Sequence, residues 1–339
     1  MAIEGRTLTV VIPAYQAEKS IESVIGRIPR YVDAIIVVDD ASTDQTAAVV
    51  KKIPDPRVCL IHHEQNRGVG SAMVTGFGKA LEIHADLIAK IDADGQMDPA
   101  YLDRFVMVHL LYGCDYVKAN RFGHLDDLSV MPRPRLLGSI VLSFLTKIVS
   151  GYWNVFDPQN GYVMITSRML KRLDLKRVDP GYFFENSMLI LLNIMRARIG
   201  EIYLPAVYGE VPSSMNLMKI IRSFPKNLCS GFLYRIYQKY LFRSLSPFFL
   251  LLVFGCVSCL WGCLWGGAAW YESYATGIPA TTGTVVLALL PLILGWSALL
   301  QAFVLDVQDA GPCLLFDFDD ETLKLPQNDR LPSPDGMSK

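Results

Sequence analysis

Apolar and polar positions along the first 120 residues fall into short blocks of two kinds. Residues 7–12, 34–38, 57–62 and 85–91 are mainly apolar or β-branched runs closed by proline, aspartates or histidine, which predicts buried strands. Between them, residues 17–28, 43–52 and 69–83 place apolar side chains at helical spacing. Strands alternating with helices predict an α/β fold, a mostly parallel, Rossmann-like sheet with helices on both faces. In such sheets ligands bind beyond the carboxyl ends of the strands. Pro13-Ala14-Tyr15, Asp39-Asp40 and Asp92-Ala93-Asp94-Gly95-Gln96 all fall at such ends.

Beyond Arg121 the pattern loosens. Residues 136–149 read as a helix, 161–166 as a short strand and 183–197 as a helix. Residues 213–245 differ again. Leu217, Ile220, Ile221 and Phe224 form one apolar stripe, and Phe232, Leu233, Ile236, Tyr237, Tyr240 and Leu241 a second. Lys219, Arg222, Lys226, Arg235, Lys239 and Arg243 line the opposite faces, with no acid among them. The pattern predicts two basic amphipathic helices, broken near Pro225, lying on an anionic membrane surface. Next come 28 residues without a charge between Arg243 and Glu272, and 33 between Glu272 and Asp306. A membrane span needs ~20 apolar residues, so spans are expected near 247–270 and 283–305, with Trp270, Tyr271 and Tyr274 as an interfacial belt. The expected domains are 1–212, a catalytic domain; 213–245, juxtamembrane helices; 246–306, two spans with a short external connector; and 307–339, an acidic flexible tail.

Composition adds a few bounds. The chain has 339 residues, 51% of them hydrophobic, and a mean hydropathy of +0.29. Its net charge of −1 gives no reason to expect nucleic acid as a partner. Residues 7–13 are too short for the core of a signal peptide. The connector between the spans has no Lys or Arg, whereas 219–243 has six, so the positive-inside rule puts both ends in the cytoplasm. The expected location is the inner (plasma) membrane, multi-pass, with a cytoplasmic catalytic domain. Three of the seven cysteines, Cys256, Cys259 and Cys263, share a helical face in the first span and read as small packing residues. Gly255, Gly262, Gly266 and Gly267 permit close helix packing, and a homo-oligomer is among the expected assemblies.

The chemistry concentrates at 92–96. Asp92 and Asp94 offer hard carboxylate oxygens and Gln96 an amide oxygen, a set suited to Mg²⁺ or Mn²⁺ completed by substrate phosphates. Gly68-Val69-Gly70 resembles a dinucleotide loop, but Met73 stands where the third glycine belongs, so it reads as a turn opening a helix. His62-His63 read as the end of an edge strand rather than as metal ligands.

Five segments together, VVIPAYQAE (10–18), VVDDASTD (37–44), NRGVGSAMVTGF (66–77), DADGQMDP (92–99) and DPQNGY (157–162), resemble the inverting family 2 glycosyltransferases of GT-A fold. Within that family the resemblance is to the polyprenyl-phosphate branch, the dolichol-phosphate mannose synthases and bacterial bactoprenol glucosyltransferases. It covers about residues 7–210. The resemblance implies that Pro13, Tyr15, Glu18 and Asp40 surround the base and ribose of a nucleotide and that Asp92 faces ribose or diphosphate. Asp94 and Gln96 would hold the metal. Arg121 and Arg135 would meet phosphate oxygens, and Asp157 would be the acceptor-side acid. The family often has an Arg after a Gly-Glu; here Val211 follows Gly209-Glu210, leaving that charge to Lys219 or Arg222.

The implied activity is transfer of a hexose, glucose from UDP-glucose, to a membrane polyprenyl phosphate, with mannose from GDP-mannose as the alternative. The acceptor phosphate has a second pKa of ~6 and needs little deprotonation at neutral pH. Asp157 is therefore expected to position more than to abstract a proton. The rival from another class is a weakly active membrane scaffold for a lipid-sugar flippase, and a small flippase is a candidate partner. A processive polysaccharide synthase would need a pore and a Gln-x-x-Arg-Trp motif, which the chain lacks.

Overall fold

The computed structural model describes residues 5–121, 133–205, 217–311, 313–317 and 320–323. The chain divides into two compact units, Met1–Gly231 with Gly311–Lys339, and Phe232–Ala310.

The first unit is built on one eight-stranded sheet. Its strands are β1 (Leu8–Ala14), β2 (Ala34–Asp39), β3 (Val58–His62), β4 (Leu87–Lys90), β5 (Tyr116–Asn120), β6 (Val163–Thr166), β7 (Ile199–Tyr203) and β8 (Cys313–Phe316), in the order β3-β2-β1-β4-β6-β5-β7-β8. The first four pair in parallel, as the strand–helix alternation predicts. Both faces are covered, so β1 is buried at all seven positions, and Leu8, Val10, Ile12, Ile35, Val37, Leu87 and Ala89 share one core. Helices Ile21–Arg27, Thr46–Lys52 and Val69–Glu82 occupy the predicted positions. The helix Leu102–Tyr112 closes on Gly113, which takes the left-handed conformation (φ 64°) that a helix stop favours.

The sheet is mostly parallel, as expected, and two features lie beyond what the sequence led one to expect. β6 runs antiparallel between β4 and β5. The connection into β6 therefore enters at the edge where β4 and β5 end, which places residues 157–162 beside Asp92 and Arg121. The tail also departs from the expected flexible segment over part of its length. Residues 313–316 form β8, parallel to β7, and Leu323 is fully buried in the main core. The acidic composition of the tail masked a short apolar run, Cys313-Leu314-Leu315-Phe316, that finds a partner only in the folded sheet.

In the second unit, Pro247–Thr276 and Thr282–Gln308 are each long and apolar enough to cross a membrane. Ser246 caps the first, with Pro247 at its opening position, and Thr281 caps the second. The two helices approach closely where side chains vanish: a Cβ on Gly255 would meet Leu299 and the Gly295 carbonyl, and one on Gly295 would meet Cys259. A break near Pro225 is not found. Helix Leu217–Arg235 runs through Pro225 and passes into a π-helical turn, Ile236–Phe242. In this unit Arg235 and Tyr240 hydrogen-bond Asp306 (2.6 Å each), and Lys239 pairs with Asp309 (2.8 Å). Asp306 near the end of the second apolar helix and Asp309 just beyond it are thus paired with cations of the segment that precedes the first.

Candidate active site

The loops beyond β1 and β2 form one wall. Pro13 is buried within β1, and Tyr15 just beyond it is 49% exposed, a flat apolar surface at the sheet edge. Gln16 and Ala41 both take positive φ (53° and 59°), a strained choice for non-glycine residues that clusters at functional loops. They sit in a cross-linked pair of loops, with the Gln16 amide donating to Ser42 Oγ (2.9 Å) and Gln45 N to Glu18 Oε2 (3.0 Å). Asp40 is 3% exposed. It accepts from Arg67 N (2.9 Å) and Gly68 N (2.7 Å) and pairs with His63 Nδ1 (2.7 Å). Most of its lone pairs are thus engaged inside the protein. His62 binds Asp39 in the same manner (2.7 Å), so both histidines serve to hold the aspartates that end β2. The Gly68-Val69-Gly70 turn opens a helix, with Gly70 N and Ser71 N donating to the Pro180 carbonyl. That carbonyl takes amides a dinucleotide phosphate would need.

Beyond β4 lie the predicted metal ligands. Asp94 and Gln96 are exposed, and Asp94 Oδ1 accepts the Gln96 amide (3.0 Å). Although Asp94 reaches solvent, crowding by the surrounding chain, with the Asp92 charge beside it, lifts its carboxyl above the ordinary value. Asp92 is partly covered and is paired to Lys90 Nζ at 2.8 Å; the same ammonium reaches Glu185 Oε1 at 3.4 Å. Burial works against the Lys90 charge, but Asp92 and Glu185 outweigh it and leave its pKa raised. Burial also raises Glu185, ahead of the opposing pull of Lys90.

Beyond β5 lies the other predicted acid. Asp157 is fully buried, with its carboxylate saturated by donors. Arg121 gives its backbone N (3.1 Å) and Nε (2.8 Å) to Oδ2 and its Nη2 (3.1 Å) to Oδ1, and Asn160 Nδ2 adds a contact to Oδ2 (3.3 Å). The Arg121 side chain remains 39% exposed. Burial would raise the Asp157 pKa, but Arg121 and then Lys118 overcome it, and the group stays below the usual carboxylate range. Arg135 lies in the first turn of helix Arg133–Ser150, and its side chain falls outside the described residues, as do those of Val211, Lys219 and Arg222.

Residues 157–162 tie the two sides together. Gly161 sits where any Cβ would meet Lys90 Nζ, Asp92 Oδ2 and Glu185 Oε1. Gln159 Nε2 donates to Asn186 (3.0 Å), and the Tyr162 hydroxyl to the Asp98 carbonyl (3.0 Å). Among the described residues no group of three His, Cys, Asp or Glu side chains could hold a metal by itself. The donor set still fits one: an exposed Asp94 beside Asp92 and Gln96 gives the one or two carboxylates that Mg²⁺ or Mn²⁺ uses when phosphates complete the shell.

Lys90, Lys118, Glu185 and Glu201 also belong to this region, and the motif reading passed over them. The signal was present. Each lysine, and Glu201, is a lone charge inside an otherwise apolar strand, where an ion survives only with a partner.

A family profile described as "Glycosyl transferase family 2" matches residues 9–174. The chain is 31% identical over 220 residues to a UDP-N-acetylglucosamine–dolichyl-phosphate N-acetylglucosaminyltransferase of Methanococcus voltae, covering 60% of this chain and 87% of that one. It is 30% identical over 214 residues to an undecaprenyl-phosphate mannosyltransferase of Micrococcus luteus (62% and 86% covered). It is also 30% identical over 186 residues to a polyprenol monophosphomannose synthase of Mycolicibacterium smegmatis (53% and 69% covered).

Proposed function

The chain belongs to glycosyl transferase family 2, and on that premise we propose that it transfers a hexose from a nucleotide sugar to the phosphate of a membrane polyprenyl phosphate. The observation that carries this reading is the placement of residues 157–161. They hold Arg121 through Asp157 at one end and pack Gly161 on Asp92, Lys90 and Glu185 at the other. A cation for an acceptor phosphate and carboxylates for a donor diphosphate thus stand side by side at one sheet edge. The names of the relatives, which carry dolichyl, undecaprenyl and polyprenol phosphates, support the acceptor class.

In this reading Tyr15, Pro13 and Glu18 flank the nucleotide. Asp40 reaches it only by giving up internal bonds. Asp94 and Gln96 hold Mg²⁺ or Mn²⁺, which when bound neutralises charge on the leaving diphosphate. Lys90 keeps Asp92 in place. Arg121 presents a guanidinium, suited to bidentate contact with a phosphate dianion, and Asp157 orients it. Asp157, with its oxygens occupied and its pKa lowered, acts by positioning. A single in-line attack inverts the anomeric centre, so UDP-α-glucose would give a β-linked lipid phosphate. GDP-mannose is the alternative donor, and the relatives add UDP-N-acetylglucosamine to the panel.

Membrane attachment follows from the acceptor. Ile140, Val141, Phe144 and Leu145 form an exposed apolar stripe on helix Arg133–Ser150, as an interfacial helix would. The two long apolar helices are read as spans with the catalytic unit in the cytoplasm.

The test is a transfer assay with purified protein in detergent, undecaprenyl phosphate, Mg²⁺ or Mn²⁺ and a panel of labelled nucleotide sugars. Lipid labelled by one donor, and lost with chelator, is the expected result. No labelled lipid with any donor, despite metal-dependent nucleotide binding, would leave the scaffold reading in its place.

A further inference from the structure

Two opposite charges buried at the centre of a sheet add little to stability, since apolar residues of the same size serve as well or better. Lys118 on β5 and Glu201 on β7 are register partners on neighbouring strands, 1% and 0% exposed. Their bonds leave the sheet. Glu201 Oε2 accepts the Phe156 amide (2.9 Å) and Oε1 the Asp157 amide (3.2 Å), while Lys118 Nζ donates to the Asp157 carbonyl. Two donors and an acceptor of one backbone turn are thus gripped from the sheet side. The turn is the one whose next atoms are the Asp157 carboxylate and, through it, the Arg121 guanidinium. Neutral residues could fill the space, but no aliphatic side chain could accept both amides.

We propose that Glu201, with Lys118 beside it, is a positioning residue for the acceptor side: it pins the Phe156–Asp157 backbone and thereby sets where Arg121 meets phosphate. Burial raises the Glu201 carboxyl and lowers the Lys118 ammonium, which shows how unfavourable the environment is for these charges. The acceptor-side role rests on the function proposed above; the pinning of the turn does not.

The pair allows a test that separates positioning from stability. Glu201→Gln alone strands a buried lysine and threatens folding. The double variant Lys118→Met/Glu201→Gln removes both charges and keeps the volume. It is expected to melt within about 3 °C of wild type, a shift of the size a change near 1 kcal/mol produces in a unit this large. Hydrogen exchange in peptides covering residues 153–160 should rise roughly tenfold or more as one of the two amides loses its acceptor to a donor NH2, with β1 unchanged. In the transfer assay, kcat/KM for polyprenyl phosphate should fall about 10- to 100-fold, as for lost bonds to a charged group, while KM for the nucleotide sugar stays within about twofold. Glu201→Asp, which retains both oxygens, should recover part of the loss. Unchanged exchange would overturn the pinning. Faster exchange with wild-type transfer, or an equal rise in donor KM, would overturn the role on the acceptor side. A wild-type protein that labels no lipid would fail the proposed function and that role with it, and the exchange result would still decide the pinning.

Discussion

The carboxylates beyond β4 and the carboxylate beyond β5 share one sheet edge but are treated in opposite ways. Asp94 keeps solvent access while accepting the Gln96 amide, and Asp92 is only partly covered. Asp157 is sealed, and both of its oxygens are occupied by Arg121. On the first side the protein leaves oxygens available to an incoming ligand. On the second it uses them up, and what it shows to solvent is a cation. The same residue type is thus left open in one place and used as a holder in the other, and burial with its hydrogen-bond partners decides which.

The comparison can be broken most sharply at Asp94. Asp94→Ala is expected to lower transfer by about 10³-fold in saturating Mg²⁺ or Mn²⁺, the scale for losing a group that stabilises developing charge. Steady-state kinetics would check this, and activity within tenfold of wild type would remove Asp94 from the donor side. Arg121→Met should act on the other side only. Losing a charged bidentate contact costs about 1.5–3 kcal/mol, so kcat/KM for the lipid should drop about 10- to 150-fold with donor KM unchanged. A matching rise in donor KM would merge the two sides into one.

Gly161→Ala probes the seam between them. Its Cβ would press on Lys90, Asp92 (3.2 Å) and Glu185 (3.3 Å). Overpacking of this kind costs about 1–3 kcal/mol, which thermal melting would register, with weaker nucleotide binding beside it. The smallest effect is a ratio. Asp157→Asn should lose the same factor, within about twofold, at pH 6 and at pH 9, because a positioning group need not take a proton. A loss that shrinks steeply at high pH would make Asp157 a base. The same variant has a stability signature. The Asp157 pKa is depressed in the folded protein, so its contribution is full above the unfolded value of about 3.9 and is lost as pH falls through the folded value. Asp157→Asn should therefore flatten the fall in melting temperature on the acid side.

Much of this molecule was legible in its sequence. Strand runs such as 34–38 declare themselves because a strand buried on both faces is apolar at nearly every position, and the polar clusters that end such runs mark the site edge. The charge-free stretches likewise state their length and their hydropathy. Asp92 and Asp94 could be picked because chemistry at a strand end needs particular residue types there, whereas Arg121 and Asp157 entered through the family resemblance.

What the sequence did not announce is pairing between distant segments. Nothing in 163–166 says that it runs against its neighbours, yet that reversal is what brings Asp157 to the edge where β4 and β5 end. Nothing in the acidic tail says that 313–316 will add a strand beside β7. The helix through Pro225 also held where a local rule expects a break. Hydrophobic periodicity is a local property and fixes which segments can be buried. Which segments meet, and which buried charge finds which partner, depends on contacts between segments far apart in the chain, and only the tertiary structure decides that a lysine at 118, a glutamate at 201 and an aspartate at 157 act together.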